Sequence, residues 1–276
     1  MKKILVPTDF STQAYNALKV AACIAKKSEN SEILLLHILD LPQQGTDSIQ
    51  KGTPAPEVMF FKNAAEQKLQ ELALSPIFAD IKVSTSLILD RTAYGVTKTA
   101  ETNDVDLIVM GSHGASGVKE YFVGSNTQKV VRTSDAPVLV IKGNGDDFKV
   151  HDLVFASDFT DNMKESFKKI LRLHKMFNTK LHLLMVNTPN SFKPTYVAEE
   201  ILDEFLKDIT DTEYDLSIYN DLTVEKGVLN YAKKVDSDLI TIATHGRTGL
   251  SHFFNGSISE DLVNHSPISV LTLKID

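Results

Sequence analysis

The part of this sequence with the clearest chemical use is Gly111-Ser112-His113-Gly114, a nine-residue gap, then Gly124-Ser125-Asn126-Thr127. Glycine lets a ligand approach the backbone. A helix that begins at a Gly-Ser step offers N–H groups and the positive end of its dipole to an anion such as phosphate. Ser125 and Thr127 add hydroxyl donors. The same residues also have a structural use, with Ser125 or a neighbour capping the helix and the glycines making turns. Asp9, just past the first apolar run, has two uses as well: accepting from a sugar hydroxyl or base amine, or capping the helix that follows. The chain has no Gly-Lys-Ser/Thr of a P-loop and no G-x-G-x-x-G after its first strand, which excludes those two phosphate-binding folds.

The loop occurs twice. Ala243 to Ser257 reads ATHGRTGLSHFFNGS, with its His-Gly and Gly-Ser pairs in the same places. A duplication carries its flanks with it, and here VDLIVM (Val105 to Met110) falls opposite SDLITI, Gly95 and Ala100 opposite Gly227 and Ala232, and VLVIK opposite VLTLK, all at one offset. ILVPTDFS and LVFASDFT place Asp9 opposite Asp158 at a longer offset, so the first copy carries an insertion, assigned to LPQQGTDSIQKGTPAPE after Asp40. The junction GNGDDFK (Gly143 to Lys149) reads as a Gly/Asp-rich link with nothing to pack, and two domains are expected, 1–143 and 144–276.

Within each copy, short Ile/Val/Leu runs alternate with longer amphipathic stretches, the pattern of buried parallel strands joined by helices. The first copy predicts helices near Ser11–Lys27, Glu57–Leu74, Ala93–Thr102 and Ser125–Thr133 between strands KILVP, EILLLHIL, KVSTSLIL, DLIVMG and PVLVIK. The expected class is α/β: two tandem open, doubly wound, five-stranded parallel sheets with flanking helices. Ligands of such sheets sit outside the carboxyl ends of the strands, where strand order reverses.

PTDFS after the first strand, LLHIL in the second, and the pattern Gly, two residues, Gly, nine residues, Gly, Ser together resemble the universal stress protein family, over both halves nearly end to end. The resemblance implies an ATP site in the first copy, with Mg as a possible companion of the nucleotide. Pro7, Thr8, Asp9 and Ile38 would lie around adenine and ribose, Met110, Gly111, His113 and Gly114 along the ribose and phosphates, and Gly124, Ser125, Asn126 and Thr127 at the phosphates. In the second copy the matching positions are Asp158, Val186, Ala243, Gly246, Gly256, Ser257, Ile258 and Ser259. Ala243 replaces the first glycine there, and Ala156 and Ser157 replace the Pro-Thr pair, so nucleotide is expected mainly in the first. The resemblance also implies self-association: final strands PVLVIK and ISVLTLK pairing as edges between domains, and a homodimer of the whole chain.

A formal charge of −7 and the lack of any Lys/Arg-rich run argue against nucleic acid and anionic membrane surfaces as partners. No stretch approaches the roughly 18 apolar residues of a membrane span, the three-residue apolar run before Pro7 is too short for a signal peptide, and Cys23 alone makes no internal disulfide. The expected setting is cytoplasmic. His113 and His245 share one place in the two loops, but no carboxylate base or metal pattern accompanies them. His174, His182, His252 and His265 show no metal-ligand spacing either. The protein is therefore expected to work through conformation or partners, with ATP hydrolysis slow at most. The alternative is a nucleotide-independent scaffold for dimerisation and protein contacts. Met59 to Phe61 and His252 to Phe254 are assigned to core, and EEILDEFLKDITDTE (Glu199 to Glu213) to a solvated helix face.

Overall fold

A computed structural model describes residues 1–40, 56–112, 123–245 and 256–275. Most of the insertion assigned after Asp40, together with His113, Gly114, Gly246 and His252 to Phe254, lies outside the described residues. The chain divides into two compact units, the first closing at Asp146 and the second continuing from Asp147.

The first unit runs β1 (Lys3–Pro7), α1 (Thr12–Lys27), β2 (Glu32–Leu39), α2 (Pro56–Ala73), β3 (Lys82–Leu89), α3 (Thr92–Thr102), β4 (Leu107–Gly111), α4 (Ser125–Thr133) and β5 (Val138–Ile141). Its strands lie in the order β3-β2-β1-β4-β5, with parallel pairing throughout. Ile4, Leu5 and Val6 of central β1 are buried on both faces, which explains the unbroken apolar run. At the edge, β3 carries Ser84, Thr85 and Ser86 and is only partly buried. Helix α1 starts where Ser11 accepts the Ala14 N–H, ends with Lys26 and Lys27 at its negative pole, and buries an alanine-rich face against β1, β4 and β5.

The second unit repeats the plan: β6 (Asp152–Ala156), α5 (Lys164–Phe177), β7 (Lys180–Asn187), α6 (Thr195–Leu206), β8 (Asp215–Asn220), α7 (Val224–Lys234), β9 (Leu239–His245), α8 (Gly256–His265) and β10 (Ser269–Ile275), in sheet order β8-β7-β6-β9-β10. Backbone devices recur with it. Phe10 and Phe159 both sit in the left-handed region, at φ 64° and 56°, as do Asp104 and Asp236 at 49° and 53°. One Asp106 carboxylate oxygen accepts the N–H groups of Lys2 and Lys3 at 2.6 and 2.9 Å, and Asp238 accepts those of His151 and Asp152 at 2.7 and 3.0 Å. Each aspartate thus ties the start of its unit's first strand to the segment leading into the fourth. The charges at the strand starts are reversed between copies. Glu32 lies between Lys3 and Lys82 in the first, and the Lys82 ammonium holds its carboxyl below the ordinary range. In the second, Lys180 pairs with Asp215, and buried His182 meets Asp152 at 2.7 Å.

Three expectations change. Met59, Phe60 and Phe61 are not core: Phe60 is 70% and Phe61 58% exposed, because α2 buries Val58, Ala65 and Leu69 instead. The acidic stretch from Glu199 is helical only to Leu206, where α6 ends. The junction packs: Asn16 of α1 donates to the Gly143 carbonyl, Lys19 pairs with Asp146 at 2.6 Å, and a Cβ on Gly145 would lie 2.3 Å from the Asn16 carbonyl oxygen. Glycine is required there by contact rather than for flexibility.

Replacing Asp106 or Asp238 by alanine leaves two backbone N–H groups without their acceptor and is expected to cost about 1 to 2 kcal/mol. Asparagine, which keeps one acceptor oxygen, should cost less. Urea unfolding of the four variants checks both statements.

Candidate functional site

Strand order in the first unit reverses at β1, which has β2 on one side and β4 on the other. The crevice of a doubly wound sheet opens there. Pro7 closes β1 opposite Leu36, and Thr8, 5% exposed, donates its N–H to the Leu36 carbonyl at 2.8 Å. The chain then makes a nested turn. The Phe10 N–H donates to Thr8 Oγ1 at 3.1 Å and the Ser11 N–H to Asp9 Oδ1 at 3.0 Å, while Ser11 Oγ caps α1. Capping therefore belongs to Ser11, and Asp9 is left exposed at the crevice.

The two described ends of the glycine motif meet at the tip of β4. The Gly124 N–H donates to the Ser112 carbonyl at 2.8 Å, and Thr127 Oγ1 to the Gly111 carbonyl at 3.1 Å, so the loop's two ends are clamped at the tip of β4. Thr127 is buried and its hydroxyl is used in this clamp. The cap residue of α4 is Gly124, at φ −61° and ψ 144°, with no side-chain cap hydrogen bond. The first N–H groups of α4 have no carbonyl behind them within the helix, and Ser125 and Asn126 beside them are exposed. This helix start can take an anion. Pro7, Thr8, Asp9, Ile38, Met110, Gly111 and Gly124 to Thr127 thus gather at one carboxyl edge.

Two glycines are explained by contact. Gly111 does not have positive φ, but a Cβ on it would lie 2.7 Å from the Gln13 carbonyl oxygen in the first turn of α1. A Cβ on Gly95 of α3 would lie 2.9 Å from Ile38 Cδ1, so glycine brings that helix down onto the half-buried Ile38. The sequence reading had no signal for Gln13. Gly95 and His37 were visible in it, as a repeated glycine and as the histidine of LLHIL, but without a site role. His37 Nδ1 lies 2.7 Å from the Thr8 carbonyl oxygen and its ring centroid 4.6 Å from that of Phe10.

The second unit places Asp158 and Val186 at the matching edge, Ala243 on β9 and Gly256 to Ser259 at the start of α8. Its turn is filled differently. A short turn of 3-10 helix, Asp161–Met163, stands where α1 begins in the first copy, with Asn162 at the position of Gln13, and Ala243 is fully buried. Asp158 is 8% exposed and accepts the Thr160 hydroxyl at 3.1 Å. A pocket lined by Ala156, Ser157, Asp158, Val186, Lys193 and Val224 remains. Behind it, the Asn187 side chain clasps the Lys193 backbone at 2.8 and 2.9 Å.

Among the described residues no group of three or more His, Cys, Asp or Glu side chains could hold a metal ion, and no helix is long and apolar enough to cross a membrane. His174 meets the Thr179 hydroxyl at 3.0 Å and His265 meets Glu225 at 2.6 Å. Both serve local packing.

The architecture is that of a doubly wound α/β protein, built twice, with a crevice at each strand-order reversal. The sequence model of the universal stress protein family matches residues 1–142 and again 149–274, and the chain belongs to that family as a tandem, two-domain member. It is 37% identical over 155 residues to the universal stress protein MJ0577 of Methanocaldococcus jannaschii, a match covering 51% of this chain and 94% of that protein. A second relative from the same organism, MJ0531, is 29% identical over 142 residues, covering 51% and 82%. The crystal structure of a universal stress protein from Archaeoglobus fulgidus shares the fold over 99% of this chain and 98% of its own, with a TM-score of 0.76 at 23% identity.

Gly111→Ala should cost about 1 to 3 kcal/mol, since a methyl group is driven into backbone. Ala243→Gly should cost about 1 kcal/mol or less, because nothing there requires glycine. Thermal unfolding of the two variants tests this asymmetry.

Proposed function

We propose that the first unit binds an adenine nucleotide, ATP in the simplest case, and that the protein signals the bound state through conformation or partners in a cytoplasmic setting. The observation that carries this reading is the start of α4. A helix whose cap residue is a glycine and so offers no side-chain cap starts at the same carboxyl edge of the sheet as the exposed Asp9 carboxylate. The helix end suits phosphate, and the carboxylate suits a ribose hydroxyl or base amine. Ile38, pressed by Gly95, gives an apolar wall for a base. A magnesium ion would take its ligands mainly from the phosphates and water, so the chain's own part is to hold the nucleotide. The reading is one of binding, with hydrolysis slow at most.

A second reading, a scaffold that works without nucleotide, draws on the exposed Met59, Phe60 and Phe61 at the start of α2. Calorimetric titration of nucleotide-stripped protein with Mg-ATP separates the two. The expected result is one site per chain, weakened more than tenfold by Gly124→Glu. Because Gly124 has ordinary φ, that variant should keep its fold by circular dichroism. No heat and no thermal shift at millimolar ATP would leave the scaffold.

A further inference from the structure

Phe10 holds a left-handed conformation at φ 64°, which a bulky residue adopts only where its surroundings impose it. In the second unit the equivalent Phe159 makes the same turn bond, its N–H donating to Ser157 Oγ at 3.0 Å, and is held besides by apolar packing. It is 2% exposed, and its ring lies 5.9 Å from that of Phe155 and 5.3 Å from that of Phe205. The first unit keeps the turn bond, from the Phe10 N–H to Thr8 Oγ1, and sets a polar contact where the second has phenylalanine packing. His37 Nδ1 lies 2.7 Å from the Thr8 carbonyl oxygen. A carbonyl only accepts, so Nδ1 carries the proton and donates. The same ring lies against Phe10, whose other neighbour is the Lys68 ammonium, 5.5 Å from the ring centroid. Met185 stands at the His37 position in the second copy and can donate nothing comparable.

His37 is next to Ile38 on β2, so the two side chains point to opposite faces of the sheet. While Ile38 faces the crevice helix α3, His37 works behind the turn. We propose that His37 is a positioning residue for the nucleotide site. By fixing the Thr8 carbonyl and the Phe10 ring, it holds the nested turn that aims the Asp9 carboxylate at the sugar and base, without touching the ligand. This rests on the nucleotide reading above. It also makes a claim about the turn itself that stands apart from that reading.

Two variants isolate the hydrogen bond. His37→Leu keeps apolar bulk and removes the donor, whereas His37→Asn keeps a donor close to the Nδ1 position. Amide exchange of the ligand-free protein reads the turn. Protection of the Phe10 and Ser11 N–H groups should fall about threefold to tenfold in the leucine variant, the usual worth of one hydrogen bond, and stay near wild type in the asparagine variant. Titration reads the site. Affinity for both ATP and adenosine should fall by a similar factor in His37→Leu and recover in His37→Asn, while affinity for tripolyphosphate, which has no sugar or base, stays unchanged. Equal exchange in all three proteins would overturn the proposal. So would equal losses for tripolyphosphate and adenosine, which would mark a general loosening of the fold. If wild type binds no nucleotide but the exchange pattern holds, the nucleotide reading falls and His37 remains the residue that sets the turn.

Discussion

The contact between Gly111 and Gln13 governs the layout of the first unit's crevice. With no Cβ on Gly111, the first turn of α1 comes to rest against the tip of β4, where a methyl group would meet the Gln13 carbonyl oxygen at 2.7 Å. That approach leaves little room between the end of β1 and the start of α1, and the chain covers it with the nested turn from Thr8 to Ser11, including the left-handed Phe10. It also leaves the Gly111 carbonyl able to accept the Thr127 hydroxyl, which brings the α4 N-terminus back to β4. The two chemically useful features, a carboxylate and a helix start, are neighbours because backbone is packed against backbone between them.

The second unit keeps the fold and the hydrogen bonds of the turn, with Phe159 N–H on Ser157 Oγ and Thr160 N–H on Asp158 Oδ1, and replaces the side chains packed around it. A 3-10 turn stands where α1 starts in the first unit, and a buried alanine, Ala243, stands in the place of Gly111. A cluster of Phe155, Phe159, Phe167 and Phe205 takes over from the imidazole. At the opposite edge, the lysine-glutamate-lysine arrangement becomes one built on Asp152, Lys180, His182 and Asp215. What does not change is the set of constraints on the backbone: the left-handed residue after β1 or β6, the aspartate that accepts two N–H groups, and the glycine of α3 or α7 against the second strand. The fold depends on those, and the lining of the crevice is free to vary.

This division also explains what could be read from the sequence. The strands were legible because burial on both faces forces continuous apolar runs, and α1 because Ser11 and Lys26-Lys27 mark its two ends. The described motif residues flank strand ends, which the duplication locates twice. The reasons for individual residues were hidden. Gly111 and Gly145 suggest flexibility or positive φ when seen alone, and only coordinates reveal the Gln13 and Asn16 carbonyls beside them. Thr127 reads as a phosphate ligand, while its hydroxyl closes the loop. The Met59 to Phe61 run has core composition, but helix phase turns Phe60 and Phe61 outward, and a run of three apolar residues does not fix that phase.

The two aspartates show how one fold can give its copies unequal chemistry without changing a catalytic residue. Asp9 is exposed, so a ligand would meet it from water, and its Oδ1 bond to the Ser11 N–H restrains its direction. Asp158 is 8% exposed and already accepts the Thr160 hydroxyl. A ligand hydroxyl arriving there meets a buried carboxylate whose Oδ1 already takes the Thr160 hydroxyl and N–H. The carboxylate is the same in both units, so what distinguishes the two corners is how far each is buried and which side chains surround it.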